Sequence, residues 1–361
     1  MNLSHNFIIF SKSLWDETPR LRHQVANLLL SYEHRVVFFE KPDFIFSRKN
    51  KLSIKKSKLI DVKRSRQLIH HQLRVSCLLS NLNAKYEKKS ITDKVNVIDS
   101  EIPIVINFNY DYYFLRDIFP FSKIITIIND DFVAQSKFNN GKHVVRALEA
   151  TCRISDAVLT VSFPLAQQVK NWCDPQIFLP WAPSRHIAPN MVSIRSSILI
   201  WAHIDGRMDF ELLKSFAIMR PKIQIDLIGP ISSKIKKIFF DLVRQFPNIN
   251  YLGTASLDNI NFDMYFCTAI PYLNHIPDIN AITASNKTFQ LLSKGLPIVT
   301  HGMPNFYESA VIVKTNCLNE FIDGIDLCFD EFFNLQNTIA NLVNQNLPKD
   351  RYRQIMSYLN S

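Results

Sequence analysis

The stretch Ser285-Asn286-Lys287-Thr288-Phe289-Gln290-Leu291-Leu292-Ser293-Lys294-Gly295-Leu296-Pro297-Ile298-Val299-Thr300 decides the fold. It reads as a helix with a Ser or Asn cap that ends at Gly295 and feeds a buried strand. Free N–H groups and a lysine in the first turn make an anion site. Taken alone, the segment is also an ordinary helix-to-strand joint with glycine at C′.

Working outward, apolar runs of strand length recur at Ile198–Trp201, Ile223–Ile228, Ile249–Leu252, Cys267–Pro271, Pro297–Thr300 and Ala310–Val313, with helical stretches between most of them. An earlier series, Phe7–Phe10, Val36–Phe39, Ile104–Phe108, Ile124–Ile128 and Val158–Val161, follows the same alternation. Such runs predict buried parallel strands. The Pro-rich segment Pro180–Pro189 reads as a linker. The expectation is an α/β chain with two Rossmann-like, doubly wound domains facing across a cleft. Their bounds are placed at 1–183, with a basic insertion at about 44–90, and at 184–345. A terminal helix at 346–361 is expected to cap the second domain or to cross back to the first.

The chain has 361 residues, 47% of them apolar, enough for two packed cores. No apolar run has the length to span a bilayer, and the opening MNLSHNFIIFSKSLWDE lacks the marks of a signal peptide. Six scattered cysteines without C-x-x-C suit reduced thiols and a cytoplasmic setting. The formal charge is +10, and nine Lys or Arg with one acid fall between Arg48 and Arg66. That block reads either as a solvated loop or ribbon face, or as an attachment to an anionic membrane surface. No helix-turn-helix, zinc finger or stacking-aromatic pattern supports nucleic acid as a partner.

Several strand ends carry polar residues. Ile198-Leu199-Ile200-Trp201-Ala202-His203-Ile204-Asp205-Gly206-Arg207 runs from a strand into a loop, and Asp209 can cap the next helix. Then come Asp226-Leu227-Ile228-Gly229-Pro230, Asn248-Ile249-Asn250-Tyr251-Leu252-Gly253 and Ile270-Pro271-Tyr272. At the other end, Trp15-Asp16-Glu17-Thr18-Pro19-Arg20-Leu21-Arg22-His23-Gln24 follows the first strand, and Phe38-Phe39-Glu40-Lys41-Pro42 ends the second. Thr18 and Pro19 predict an N-cap and first helical turn. Leu21, Val25 and Leu28 then form the buried face, with Arg20, His23, Gln24 and Asn27 largely on the other.

In this order and spacing, these elements resemble the GT-B glycosyltransferases, and the opening resembles the bacterial enzymes that build capsule, O-antigen and related surface polysaccharides. The likeness is loose over the whole chain and good from Ile198 to Thr300. It implies a hexosyltransferase that moves a sugar from a UDP- or GDP-linked donor, with no cofactor and no metal, to a saccharide acceptor, lipid-linked and at the inner face of the membrane. Arg207 and Lys287 would neutralise the leaving pyrophosphate. Asn286, Ser285, Tyr272, Gln290 and Gly253 would complete the donor site. Retaining relatives often carry two glutamates eight residues apart; the matching positions here are Ile282 and Gln290. Inversion is therefore preferred, with Asp130 or Asp131 as general base after the strand Ile124–Ile128, although both residues also suit a turn or cap. Asp16 and Glu17 are rival bases that equally suit a helix N-terminus. Arg20, Arg22 and His23 would meet the acceptor or the pyrophosphate, or form a solvated helix face. Two other classes stay open: a sugar-nucleotide epimerase of the same architecture using His203 and Asp205, and a two-lobed ligand-binding protein.

Overall fold

The computed structural model describes residues 4–17, 19–46, 59–74, 76–95, 102–136, 140–190, 194–274 and 276–359. The chain divides into two compact units at Leu179/Pro180 and again at Asp350/Arg351, so unit 1 takes back the last segment of the chain.

In unit 1 the order is β1 (Asn6–Phe10), α1 (Leu21–Ser31), β2 (Arg35–Phe44), β3 (Ile60–Gln67), α2 (Cys77–Val95), β4 (Ile104–Asn107), α3 (Leu115–Ile118), β5 (Ile124–Ile128), α4 (Gly141–Arg153), β6 (Ala157–Thr160), α5 (Phe163–Val169) and β7 (Pro175–Ile177). Its parallel sheet runs β3-β2-β1-β4-β5-β6-β7. Unit 2 has β8 (Ser197–Trp201), α6 (Phe210–Met219), β9 (Gln224–Ile228), α7 (Lys236–Gln245), β10 (Ile249–Tyr251), β11 (Tyr265–Pro271), α8 (Pro277–Asn280), α9 (Thr288–Ser293), β12 (Ile298–His301), β13 (Ile312–Thr315), α10 (Leu318–Asp330) and α11 (Gln336–Asn344). Its parallel sheet runs β10-β9-β8-β11-β12-β13.

Each order reverses beside the unit's first strand, between β1 and β4 and between β8 and β11. At such a switch point neighbouring loops diverge and leave a crevice at the carboxyl ends of the strands. The central strands, β5 and β11 among them, are buried on both faces, as a helix-covered parallel sheet requires. The core of unit 2 includes a cluster from Ile198 to Phe332; that of unit 1 includes one cluster around Phe10, Phe39 and Tyr112 and another around Leu148 and Val158.

The last helix, α12 (Pro348–Ser357), starts in unit 2 and belongs to unit 1 from Arg351 onward. Tyr352 stacks on Tyr32 at 3.6 Å with the rings 1° apart, and its hydroxyl meets His34 Nε2 at 2.9 Å. Pro348 opens this helix, because its fixed φ suits the first turn.

Three local expectations need correction. Helix α1 starts at Leu21 with Arg20 as N-cap, so Pro19 lies before the helix; Thr18 is outside the described residues. Arg22 and His23 are buried, at 7% and 3% exposure, so the polar side of α1 is narrower than its sequence pattern. Part of the basic block is sheet: Ile60–Gln67 forms β3, with Ile60, Val62, Ser65 and Gln67 buried in near alternation. Most of that block, 47–58, lies outside the described residues.

Candidate functional site

The switch point of unit 2 holds a cavity of about 230 Å3. Its walls come from the ends of β8 (Trp201, Ala202) and β11 (Thr268–Tyr272), with Ser285, Asn286, Lys287 and Leu291 from the start of α9. Two glycines let the neighbouring loops close on it. At Gly229 (φ +149°) a Cβ would stand 1.8 Å from the Ala202 carbonyl oxygen, and at Gly302 (φ +71°) 2.0 Å from that of Tyr272. No side chain fits at either crossing.

Lys287 is the N-cap residue of α9 and points back to β8. Its ammonium donates to the Trp201 carbonyl at 2.9 Å and lies 4.8 Å from the Trp201 ring centroid. Burial, and secondarily Arg207, push its pKa down from 10.5 to about 8. Among the described residues it has no carboxylate within ion-pair distance. Arg207 is held in a fork by Asp205, at 3.0 Å (Nε–Oδ1) and 2.7 Å (Nη2–Oδ2), and stands 5.7 Å from the Tyr272 ring. Two cations and one carboxylate leave the site net positive, and it can receive an anion.

The expected Ser or Asn side-chain cap on α9 is absent. Instead the Ser285 N–H donates to Thr288 Oγ1 at 3.0 Å, folding the preceding loop against the helix. Gln290 lies one turn into α9, away from the cavity walls. Gly253 (φ +81°) accepts from the Gly229 N–H, and its loop reaches Trp201 through the Trp201 Nε1 bond to Ala255 O at 3.1 Å.

In unit 1 the switch point is filled by charge. Lys12, just after β1, donates to Asp111, just after β4, at 2.6 Å. Arg74 reaches the other oxygen of Asp111 at 2.5 Å and Glu87 at 3.5 Å. Burial, with Asp111 nearby, pushes the Glu87 pKa upward, while Arg74 and the Tyr112 and Asn83 donors act to keep it a carboxylate. Burial works against the charge on Asp111, but Lys12 and Arg74 outweigh it and hold its pKa far below the usual carboxylate range.

Asp130 and Asp131 follow β5 but do different things. Asp131 Oδ1 accepts from the Val133 and Ala134 N–H groups at 3.1 and 2.9 Å, so it closes a turn. Asp130 accepts from Asn129 at 2.6 Å and has Arg22 Nη2 at 3.7 Å. Its side chain is 39% exposed, so the upward push that burial gives its pKa is screened and modest. Arg22 is the buried member of the pair, and its Nε has no partner among the described residues.

The other N-terminal candidates form a local turn. His23 Nδ1 accepts from the Arg20 N–H at 3.0 Å and His23 Nε2 faces the Leu14 carbonyl at 2.9 Å. Both ring nitrogens are engaged, which fixes a neutral tautomer and takes His23 away from any ligand. Glu17 pairs with Arg20 at 3.0 Å. Although partial burial opposes it, bonds from Ser13 and Leu14 with Arg20 nearby hold Glu17 below its usual pKa, which makes it a weak base. Asp16 is exposed.

No family model matches the chain, and no curated protein matches its sequence. Solved structures match along nearly its whole length. HepE from Anabaena, solved with UDP, is 11% identical with a TM-score of 0.70, covering 98% of this chain and 99% of that one. The lipopolysaccharide outer core galactosyltransferase WaaB is 11% identical at a TM-score of 0.67, with the same coverage. A glycosyltransferase from Rickettsia africae is 13% identical at 0.67, covering 98% of each. The chain has the GT-B fold.

Of the residues expected at the donor site, Tyr272, Ser285, Asn286 and Lys287 line one cavity and Arg207 stands beside Tyr272; Trp201 and Met208, to which the sequence assigns no role, complete its walls. In the first unit the sequence likewise assigns no role to Lys12, Arg74, Glu87 and Asp111. One signal was present: Asn109-Tyr110-Asp111-Tyr112 directly follows a strand, where polar side chains face the crevice.

Proposed function

We propose that the protein is a glycosyltransferase that binds a nucleoside-diphosphate sugar in unit 2 and passes the sugar to a saccharide acceptor on unit 1. The observation that carries this reading is the pairing of Lys287 and Arg207 beside one cavity at the unit 2 switch point. The ammonium and guanidinium would stabilise charge on the departing diphosphate. Trp201 and the loop through Gly253 would flank the nucleobase. The solved structure of HepE with UDP supports a uridine nucleotide. Asp205, an acid the epimerase reading needs, is engaged by Arg207.

Asp130 is the proposed general base. Its pKa is pushed upward, unlike those of Asp111 and Glu17, and it sits at the carboxyl end of β5. Arg22 positions it. With no carboxylate pair on α9, inversion is the favoured course. The acceptor is proposed to be lipid-linked: Phe44, Phe46, Leu73, Leu78 and Leu82 expose apolar surface in unit 1, and the basic block follows Phe46 in the sequence and runs into β3. No helix among the described residues is long and apolar enough to cross a membrane.

A thermal-shift series with UDP, GDP, UMP and GMP tests the core of the reading, since a ligand of the folded state raises the melting temperature by mass action. A response to one diphosphate, lost in Lys287→Ala, is expected; no response to either diphosphate would sink it. Asp130→Asn should lower turnover by about 10²–10⁴-fold with nucleotide binding unchanged. Flotation with anionic liposomes tests the membrane contact.

A further inference from the structure

Beside the charge cluster of unit 1 lies a small cavity of about 50 Å3, walled by His71, Tyr110, Phe132, Gln135, Asn140 and Val144. It sits past the carboxyl ends of β4 and β5, on the side of the sheet where the switch point opens. Asn140 is 3% exposed and occupies the N-cap position of α4, yet its side chain makes no cap bond. Its Oδ1 is buried with no partner among the described residues. A buried acceptor left unmade is costly, and a ligand donor would relieve that cost. The Tyr110 and Phe132 rings, 5.0 Å apart, and Val144 supply an apolar wall.

Size and charge define the occupant. A water takes roughly 10–15 Å3 of such space, so about 50 Å3 admits roughly three or four heavy atoms, a substituent and not a sugar ring. The nearby charges are matched: Lys12 and Arg74 face Asp111 and Glu87. Burial, and then Lys12, hold His71 at a pKa of about 3, so its ring is neutral at working pH. Nothing there calls for an anion.

We infer that this cavity seats a neutral, hydrogen-bond-donating substituent of the acceptor sugar, a hydroxymethyl or an acetamido group, with Asn140 Oδ1 accepting its proton and Val144 and Phe132 covering its carbon. The inference rests on the proposed function and names the acceptor feature that unit 1 selects. Asn140 and Val144 are specificity residues and take no part in the chemical step.

Saturation-transfer NMR on the full chain with UDP present tests it, using methyl glucoside, methyl xyloside (no hydroxymethyl) and methyl N-acetylglucosaminide. Glucoside binding without xyloside binding assigns the hydroxymethyl group; N-acetylglucosaminide binding without glucoside binding assigns the acetamido group. Val144→Phe fills the space and should abolish the signal, and Asn140→Ala should weaken binding by about tenfold. Both variants should keep the wild-type circular dichroism spectrum and a cooperative melt of the full chain, which shows that unit 1 folds, together with the wild-type thermal response to UDP. Glycoside binding unchanged in both variants, or absent from the wild type, overturns the inference. A missing UDP response in the wild type would instead overturn the function on which it rests.

Discussion

The two units solve one topological problem with opposite electrostatics. Both place a loop after the first strand beside a loop after the strand across the reversal. In unit 1 those loops carry Lys12 and Asp111, and Arg74 and Glu87 complete a set of two cations and two carboxylates. In unit 2 Trp201 ends β8, the loop after it carries Asp205 and Arg207, and Tyr272 follows β11, with Lys287 beside Trp201. The difference teaches that the crevice comes from strand order, whereas the charge it offers is set by a few side chains. Balance suits a neutral ligand; a surplus cation held by a carbonyl suits an anion.

The sharpest way to break the contrast is Asp111→Asn. It leaves two buried cations facing one carboxylate, and should cost about 3–5 kcal/mol in denaturant unfolding. A loss under about 1 kcal/mol would mean that the cluster adds little beyond a surface pair. In unit 2, Lys287→Ala removes the surplus cation. Calorimetry should show diphosphate binding weaker by about 1.5–3 kcal/mol, with monophosphate less affected.

The pH profile sharpens the same point with opposite signs. In the free protein Lys287 has a pKa of about 8 against an ordinary 10.5, so the unfolded chain binds more protons between these values. Its contribution to stability therefore rises with pH across that window. Diphosphate binding favours the protonated amine, so affinity should decline above about pH 8. Titrations across that range check it, and a flat profile would place the anion elsewhere.

The smallest expected effect compares helix starts. Unit 1 caps α1 with His23 reaching back to the Arg20 N–H, whereas unit 2 caps α6 with Asp209, whose Oδ1 accepts from the Leu212 N–H at 2.9 Å. His23→Ala and Asp209→Ala should each cost about 1 kcal/mol. Burial lowers the His23 pKa below 6.5, so its contribution is present above that value and is lost as pH falls through the folded pKa. Chevron or melting data at mildly acid pH would show this for the histidine cap and not for the aspartate.

Much of the fold was legible because buried parallel strands are short, continuous apolar runs; Ile124–Ile128 matches its strand residue for residue. The edge strand β3 was not, because it reads IDVKRSRQ and only its alternate residues are buried. The unit 2 site was legible as strand ends in a familiar order. The unit 1 cluster was not: Lys12 and Asp111 are 99 positions apart, and Arg74 lies on neither strand end. Folding brings them together, and spacing gives no hint of it. His23 misled for a related reason, since a polar residue at a helix start suits solvent, ligand or a backbone bond, and only the positions of Leu14 and Arg20 decide.

The place of β3 bears on how copies of this chain behave at high concentration. It is the outermost strand of its sheet among the described residues, the position at which a strand from another chain adds on; the Arg66 N–H on it is held by Ser90 Oγ at 2.9 Å. Lys63, Arg64 and Arg66 line it, Arg64 tied to Glu40 and Asp43 and Arg66 exposed. A second copy arriving edge to edge would bring its own row of like charge against this one. Substituting the exposed Arg66 with threonine or valine, with the Arg64–Glu40 pair kept, would leave the chain folded and make it more prone to self-associate.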